Sequence, residues 1–284
     1  MRILIIGANG MLGKDLVREW TLDEIISATS READIRDFQQ VRQLVTRTHP
    51  DWVVLTAAYT DVDGSEKNPE QAFAVNGEGT RNVALAAQDE GARLFYVSTD
   101  YLFDGTATHP IEPDHPIAPL NVYGQSKAAG EKSVQDHHQA WCIARTSWLF
   151  GASGASFPEK ILRASETRPE LTVVADQFGS PTFTRDLSSA IRDLVHTDAR
   201  GILNVTNTGS CSWFDFAREV LHQVGRDSIR VLPITTADAG RPAKRPAYSV
   251  LSPASLNSRG FVLRSWQDAT TAYLKDLRSV GKLT

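Results

Sequence analysis

The chain of 284 residues is long enough for one large folded unit or two smaller ones, and a hydrophobic content of 41% supports a sizeable core. A net charge of −4 without any run of basic residues argues against a nucleic-acid or membrane-surface partner. No stretch nears the roughly 18 apolar residues of a membrane span, and two cysteines, Cys142 and Cys211, make neither a disulfide framework nor a metal cluster, so the expectation is a reduced, cytoplasmic protein.

The first apolar run, Ile3 to Ile6, predicts a buried strand. Gly7, Gly10 and Gly13 follow it directly, at the start of a helix from Met11 to Trp20. Glycines there permit a tight turn and a close approach of the backbone to a pyrophosphate, whose charge meets free N–H groups and the helix dipole. The spacing is G-x-x-G-x-x-G rather than the commoner G-x-G-x-x-G, and the placement after an apolar strand is what carries the signal. Met11 and Leu12 lie between these glycines and join them as cofactor-binding candidates.

A second strand, Ile25 to Ala28, leads into "TSREADI". A dinucleotide fold usually presents an acid here to the ribose 2′-hydroxyl. Ser30 and Arg31 stand in that place, and a hydroxyl with a guanidinium suits a 2′-phosphate better, which favours NADPH over NADH. An ordinary surface arginine would leave the same pattern. Asp34 and Ile35 come next and would border the adenine.

Further along, strands are predicted at Trp52 to Ala57, Arg93 to Ser98 and Trp141 to Thr146. Helices fall at Asp37 to Thr48, Pro69 to Glu90 and Tyr123 to His137. Continuous apolar strands alternating with helices argue for a parallel sheet covered on both faces. After about residue 150 turns dominate, although a strand at Ile202 to Thr206, after a helix near Arg185 to His196, returns to the first sheet. The predicted class is α/β, a Rossmann-type doubly wound parallel sheet with a smaller C-terminal substrate-binding domain. Residues 1–150, with about 184–208, form the dinucleotide-binding part, and 151–284 mainly the substrate-binding part.

Two stretches carry chemistry. Ser98, Thr99 and Asp100 project from the carboxyl end of the fourth strand, where ligands bind in open parallel sheets. In "PLNVYGQSKAAGE", Tyr123 and Lys127 stand one helical turn apart and share a face. A phenol titrates near 10, and bringing it to about 7 takes roughly 4 kcal/mol, which one ammonium at about 4 Å supplies at an effective dielectric near 20. The pair is a candidate proton donor tuned to neutral pH; a packed tyrosine beside a solvated lysine is the bland alternative.

"GANGMLG", "VSTD" and "YGQSK" together resemble the extended short-chain dehydrogenases/reductases. "STDYLFDG", "RTSWLFG", "DQFGSPT" and "RPAKRP" are similar to the branch of that family that reduces dTDP-linked keto sugars, and the likeness runs from residue 1 to about 246. The resemblance implies NADPH-dependent reduction of the C4 ketone of dTDP-4-dehydro-6-deoxy-L-mannose to dTDP-L-rhamnose, the last step of dTDP-rhamnose synthesis for polysaccharides, with NADH as the other cofactor. It makes Tyr123 the proton donor, Lys127 the holder of the nicotinamide ribose that lowers the phenol's pKa, and Thr99 the donor to the developing oxyanion. Ala57, Ala58, Tyr59 and Val97 would line the cofactor. Thr60, Val62, Asp100, Tyr101 and Trp148 would touch the substrate, with Trp148 as plain core the alternative.

Some positions depart from the family pattern. Thr56 replaces an asparagine before the alanine pair. Some members bridge a homodimer through Mg2+ held by acids of the first helix and of the helix after "GSPT"; here Asp15 is present, but Arg185 takes the second place with Asp186 beside it. Arg241, Lys244 and Arg245, between prolines, suit a substrate diphosphate or a solvated loop equally. Reductase or epimerase action on another nucleotide sugar stays open, as does a non-catalytic NADP-binding regulatory subunit like that of methionine adenosyltransferase.

Overall fold

The computed structural model describes residues 1–283. In chain order it runs β1 (Arg2–Ile6), α1 (Met11–Glu19), β2 (Glu24–Ala28), α2 (Phe38–Thr48), β3 (Trp52–Leu55), α3 (Val62–Lys67), α4 (Pro69–Phe73), α5 (Thr80–Asp89), β4 (Arg93–Thr99), α6 (Val122–His137) and β5 (Trp141–Thr146). Then follow β6 (Leu149–Phe150), α7 (Phe157–Ala164), β7 (Glu170–Val174), β8 (Phe178–Gly179), β9 (Thr182–Phe183), α8 (Thr184–His196), β10 (Gly201–Asn204), β11 (Cys211–Ser212), α9 (Trp213–Gln223), β12 (Arg230–Ile234), α10 (Thr236–Ala239), α11 (Ala254–Asn257) and α12 (Trp266–Ser279).

Six strands make one parallel sheet in the order β10-β5-β4-β3-β1-β2. β3 and β4 are buried almost throughout, as a sheet covered on both faces requires. Alternation along each strand divides the core. Ile3 and Ile5 pack with Leu12 and Leu16 of α1 and Leu187, Ile191 and Leu194 of α8. Leu4 and Ile6 point the other way, toward Val41 and Leu44 of α2 and Val83 of α5. The sheet is thus a Rossmann-type doubly wound layer, and β10 joins its edge beside β5.

A third cluster gathers Phe150, Phe183, Phe216, Tyr273, Leu221 and Leu274 from segments after residue 149. Phe150 meets Phe183, Phe216 and Tyr273 with ring centroids 5.4 to 5.6 Å apart. This aromatic core carries the small strand pairs β6–β9, β7–β12 and β8–β11.

The long helix expected from Pro69 to Glu90 is continuous to Asp89, but it changes type on the way. Between α4 and α5 the chain forms a π-helical stretch, Ala74–Gly79. Its widened turn is locked by Asn76, which is buried: Oδ1 accepts from the Tyr59 amide at 2.8 Å, and Nδ2 donates to the Tyr59 carbonyl at 3.0 Å and to Ser126 Oγ at 2.9 Å. These tertiary bonds tie the turn after β3 to α6, so the irregular turn sits where two functional segments meet.

Candidate active site

β1 and β3 are neighbours, but β2 flanks β1 on one side and β4 flanks β3 on the other. The reversal of strand order leaves a crevice beyond their carboxyl ends, the usual ligand position in such sheets. A cleft of about 730 Å3 lies there. Its first wall is the turn after β1. Gly7 has φ +99°, and a Cβ on it would come within 2.5 Å of the Ala57 amide nitrogen. Gly13 likewise has no room for a Cβ, because the Gly7 carbonyl occupies that space. α1 starts at Met11 with no acid in its first turn and no capping side chain. Its leading amides and positive dipole end are free for an anion, and such a cradle accepts the pyrophosphate of a dinucleotide.

Gly7, Gly10, Met11, Leu12, Gly13, Ser30, Asp34 and Ile35 all line the cleft. Arg31 does not; it is exposed, beside the Ser30 that does. The guanidinium that reaches the wall is that of Arg36, held by both oxygens of Asp34 with Nε–O distances of 3.0 Å. That pair keeps the Asp34 carboxyl below the usual carboxylate range. Across the crevice, Ala57, Ala58, Thr60 and Val62 line the next wall, while Tyr59 is turned out of it. Thr56 replaces the expected asparagine with a useful tie: its hydroxyl donates to the Ile6 carbonyl at 3.1 Å, joining β3 to the glycine turn.

Val97, Thr99, Asp100 and Tyr101, from the end of β4, meet Tyr123 and Lys127 of α6 in the same cleft. Asn121 caps α6, accepting from the Gly124 amide at 2.8 Å and donating to the Lys244 carbonyl at 2.7 Å. Gly124 lets the first turn of α6 abut the Tyr101 carbonyl, where a Cβ would not fit. The rings of Tyr101 and Tyr123 then meet edge to face at 5.5 Å. Lys127 is 2% exposed, donates from Nζ to the Val97 carbonyl at 2.8 Å and stands 4.2 Å from the centre of the Tyr96 ring.

Burial reverses one expectation. It raises the Tyr123 phenol above its ordinary value, with the neighbouring Thr99 hydroxyl working the other way. Burial also pushes Lys127 down to about 7 against the pull of Glu131. Desolvation dominates both groups, and the Lys127 ammonium does not bring the phenol down. Asp100 is buried as well and is pushed up to about 6, although Ser249 Oγ donates to it at 2.6 Å and Thr99 Oγ1 at 3.2 Å.

Trp148 lines the cleft and is half-buried, so it is not plain core. Trp213 beside it was not singled out from the sequence, since its partner is 65 positions away and no local pattern links them. Glu131 and Arg145 also went unmarked. They form a buried pair at 2.7 and 3.0 Å, and Arg145 donates further to the Pro113 carbonyl at 2.8 Å, bracing α6 against β5. In the basic loop Arg245 is bound to both oxygens of Asp63 at 3.1 and 2.8 Å, while Arg241 and Lys244 are exposed.

The acids near a bridging-metal position do not fit a divalent cation. Asp15 accepts from Thr184 at 2.5 Å, from Ser153 at 3.1 Å and pairs with Arg18 at 3.0 Å. Arg185 itself brings the cation, pairing with Asp276 at 2.7 Å and Glu19 at 3.3 Å, and Asp186 is taken by Arg264.

A family model described as the RmlD substrate binding domain matches residues 1–279. The chain is 41% identical over 281 residues to a dTDP-4-dehydrorhamnose reductase of Streptomyces griseus, covering 95% of this chain and 92% of that one. It is 37% identical over 274 residues to a dTDP-4-keto-6-deoxy-D-glucose reductase of Streptomyces niveus, covering 95% of each. Among solved structures it is similar to the dTDP-4-dehydrorhamnose reductase of Bacillus anthracis str. Ames in complex with NADP. That match has a TM-score of 0.94 at 41% identity and covers 97% of this chain and 99% of that one.

Proposed function

The chain belongs to the RmlD substrate-binding-domain family, and from that premise we propose that it is an NADPH-dependent reductase of dTDP-4-dehydro-6-deoxy-L-mannose, forming dTDP-L-rhamnose. The observation that carries the reading is the convergence of Thr99, Tyr123 and Lys127 in one cleft with the glycine cradle after β1. When bound there, the reduced nicotinamide supplies a hydride to the sugar C4 carbon. Tyr123 donates its phenolic proton to the carbonyl oxygen as charge develops, and Thr99 hydrogen-bonds the same oxygen. Lys127 would hold the nicotinamide ribose and so orient the cofactor, and its ammonium would stabilise the phenolate that remains.

Residues 1–150 and about 184–208 serve the dinucleotide, with Ser30 on the cleft wall and Arg31 exposed beside it as the pair that would meet a 2′-phosphate, and the rest mainly serves the sugar nucleotide. Two buried free thiols suit a reducing cytoplasm. Among the described residues no helix is long and apolar enough to cross a membrane. A second reading, reduction of a related dTDP-4-keto-6-deoxy sugar, is favoured by the likeness to the Streptomyces niveus enzyme.

The test follows NADPH oxidation by the purified chain with dTDP-4-dehydro-6-deoxy-L-mannose, against NADH and the 4-keto-6-deoxy-D-glucose analogue. Sugar-dependent oxidation, faster with NADPH, is expected. Turnover of the glucose analogue alone would move the assignment to the second reading, and silence with both sugars would end it.

A further inference from the structure

Trp148 adopts φ 50°, in the left-handed region that a bulky side chain occupies only where its surroundings compel it. The Thr182 amide of β9 holds the Trp148 carbonyl at 3.3 Å, and the indole is held by one small ribbon. β8 and β11 pair antiparallel, with Cys211 opposite Gly179 and Ser212 opposite Phe178. On β8, Gly179 leaves a notch that the Trp148 indole fills, and any Cβ there would overlap the ring. From β11 the chain passes straight into α9, whose first residue, Trp213, lays its indole on that of Trp148. The ring centroids are 3.5 Å apart and the planes 8° from parallel.

The cover is itself fixed. Ser212 and Asp215 form a reciprocal cap, at 3.0 Å from the Asp215 amide to Ser212 Oγ and 3.2 Å from the Ser212 amide to Asp215 Oδ2, which sets where α9 begins. Phe157 packs on Trp213 at 4.6 Å, and Phe216 continues the stack into the aromatic core. Both indoles remain half-buried, and both line the cleft that holds Tyr123.

We infer that the β8–β11 ribbon is a clamp and that Trp213 is a positioning residue, holding the Trp148 indole as the apolar wall against which the sugar ring of the substrate rests. The inference rests on the reductase reading above. A 6-deoxy hexose offers C–H faces and a methyl group, which an indole receives through apolar contact rather than through a directed hydrogen bond. Such contact orients the C4 ketone toward Tyr123 only if that wall cannot swing, and a ring gripped between a notch and a stacked partner cannot.

The full-length chain with NADPH and the dTDP-keto sugar provides the test. Trp213→Ala is expected to raise the sugar-nucleotide KM about tenfold while kcat stays within about threefold. NADPH affinity and inhibition by dTDP alone should not change, and the paired-indole signal in near-ultraviolet circular dichroism should vanish. Trp213→Phe should restore KM by keeping a stacked ring. Gly179→Ala, which fills the notch with Trp213 intact, should reproduce the raised KM. Unchanged KM in both Trp213→Ala and Gly179→Ala overturns the inference, as does a parallel loss of dTDP inhibition, which would put the indole under the base. A wild type without turnover overturns the reductase reading and this inference together; a turning-over wild type with indifferent variants overturns this inference alone.

Discussion

At the dinucleotide end of the cleft the wall is built from the turns after β1, β2 and β3, with glycine main chain at its centre, and at the sugar end it is large side chains from segments far apart in the chain. The first end has no room for an added atom at Gly7 and Gly13 and little at Gly10, because backbone approaches backbone closely there. The second depends on atoms that are present: the Tyr123 phenol, the Trp148–Trp213 stack and the buried Asp100 with its Ser249 bond. A cofactor common to many enzymes is thus met by backbone geometry, while chemistry and substrate are met by side chains that the tertiary fold must bring together.

Removing an atom at the sugar end should have the largest effect. Tyr123→Phe deletes the proton donor and is expected to cost roughly 10² to 10⁴ in kcat, with dinucleotide affinity unchanged in a direct fluorescence titration. A variant that keeps most of its turnover would break the division, because the phenol would then be packing rather than chemistry.

Adding an atom at the other end comes next. Gly7→Ala combines positive φ with a Cβ 2.5 Å from the Ala57 amide, so a loss of roughly 2–5 kcal/mol of stability is expected together with dinucleotide binding. Denaturant unfolding with and without NADPH measures both, and an alanine variant of full stability would show that the β1–β3 approach is slack.

The smallest effect sharpens the comparison through pH. Burial raises Asp100 from 3.8 to about 6, so the folded chain binds that proton more tightly than the unfolded chain does. The resulting stability is fully present below about 3.8 and is lost as pH rises to about 6. Asp100→Asn removes the effect. The melting-temperature difference, wild type minus variant, should therefore fall between those values and stay flat above them. A difference that rises over the same window would mean that the ionised form is the one held by Ser249 and Thr99.

Much of the dinucleotide end was legible because its signal is local. Three glycines after an apolar run, the turn after β3 at Ala57 and the end of β4 at Thr99 need only a parallel sheet to become a cradle. Tyr123 and Lys127 were legible for the same reason, since four residues on a helix bring two side chains to one face. Their titration was not, because spacing carries no information about burial, and burial turned the expected fall of the phenol into a rise. Arg36 reached the wall in place of Arg31 through a turn closed by Asp34, a side-chain choice that no periodicity encodes.

The sequence by itself thus determined the sheet, the crossover helices, the glycine turn and the identity of the reactive groups, all of which follow from contacts within one turn or one strand. Only the tertiary structure decided that Asn76 ties the turn after β3 to α6. It alone decided that Arg145 neutralises Glu131, that Arg185 pairs with Glu19 and Asp276, and that Trp213 lies on Trp148. Each of these joins residues from 14 to 166 positions apart. Their partners are selected by the shape and polarity of space left between packed elements, and that space does not exist until the elements have met.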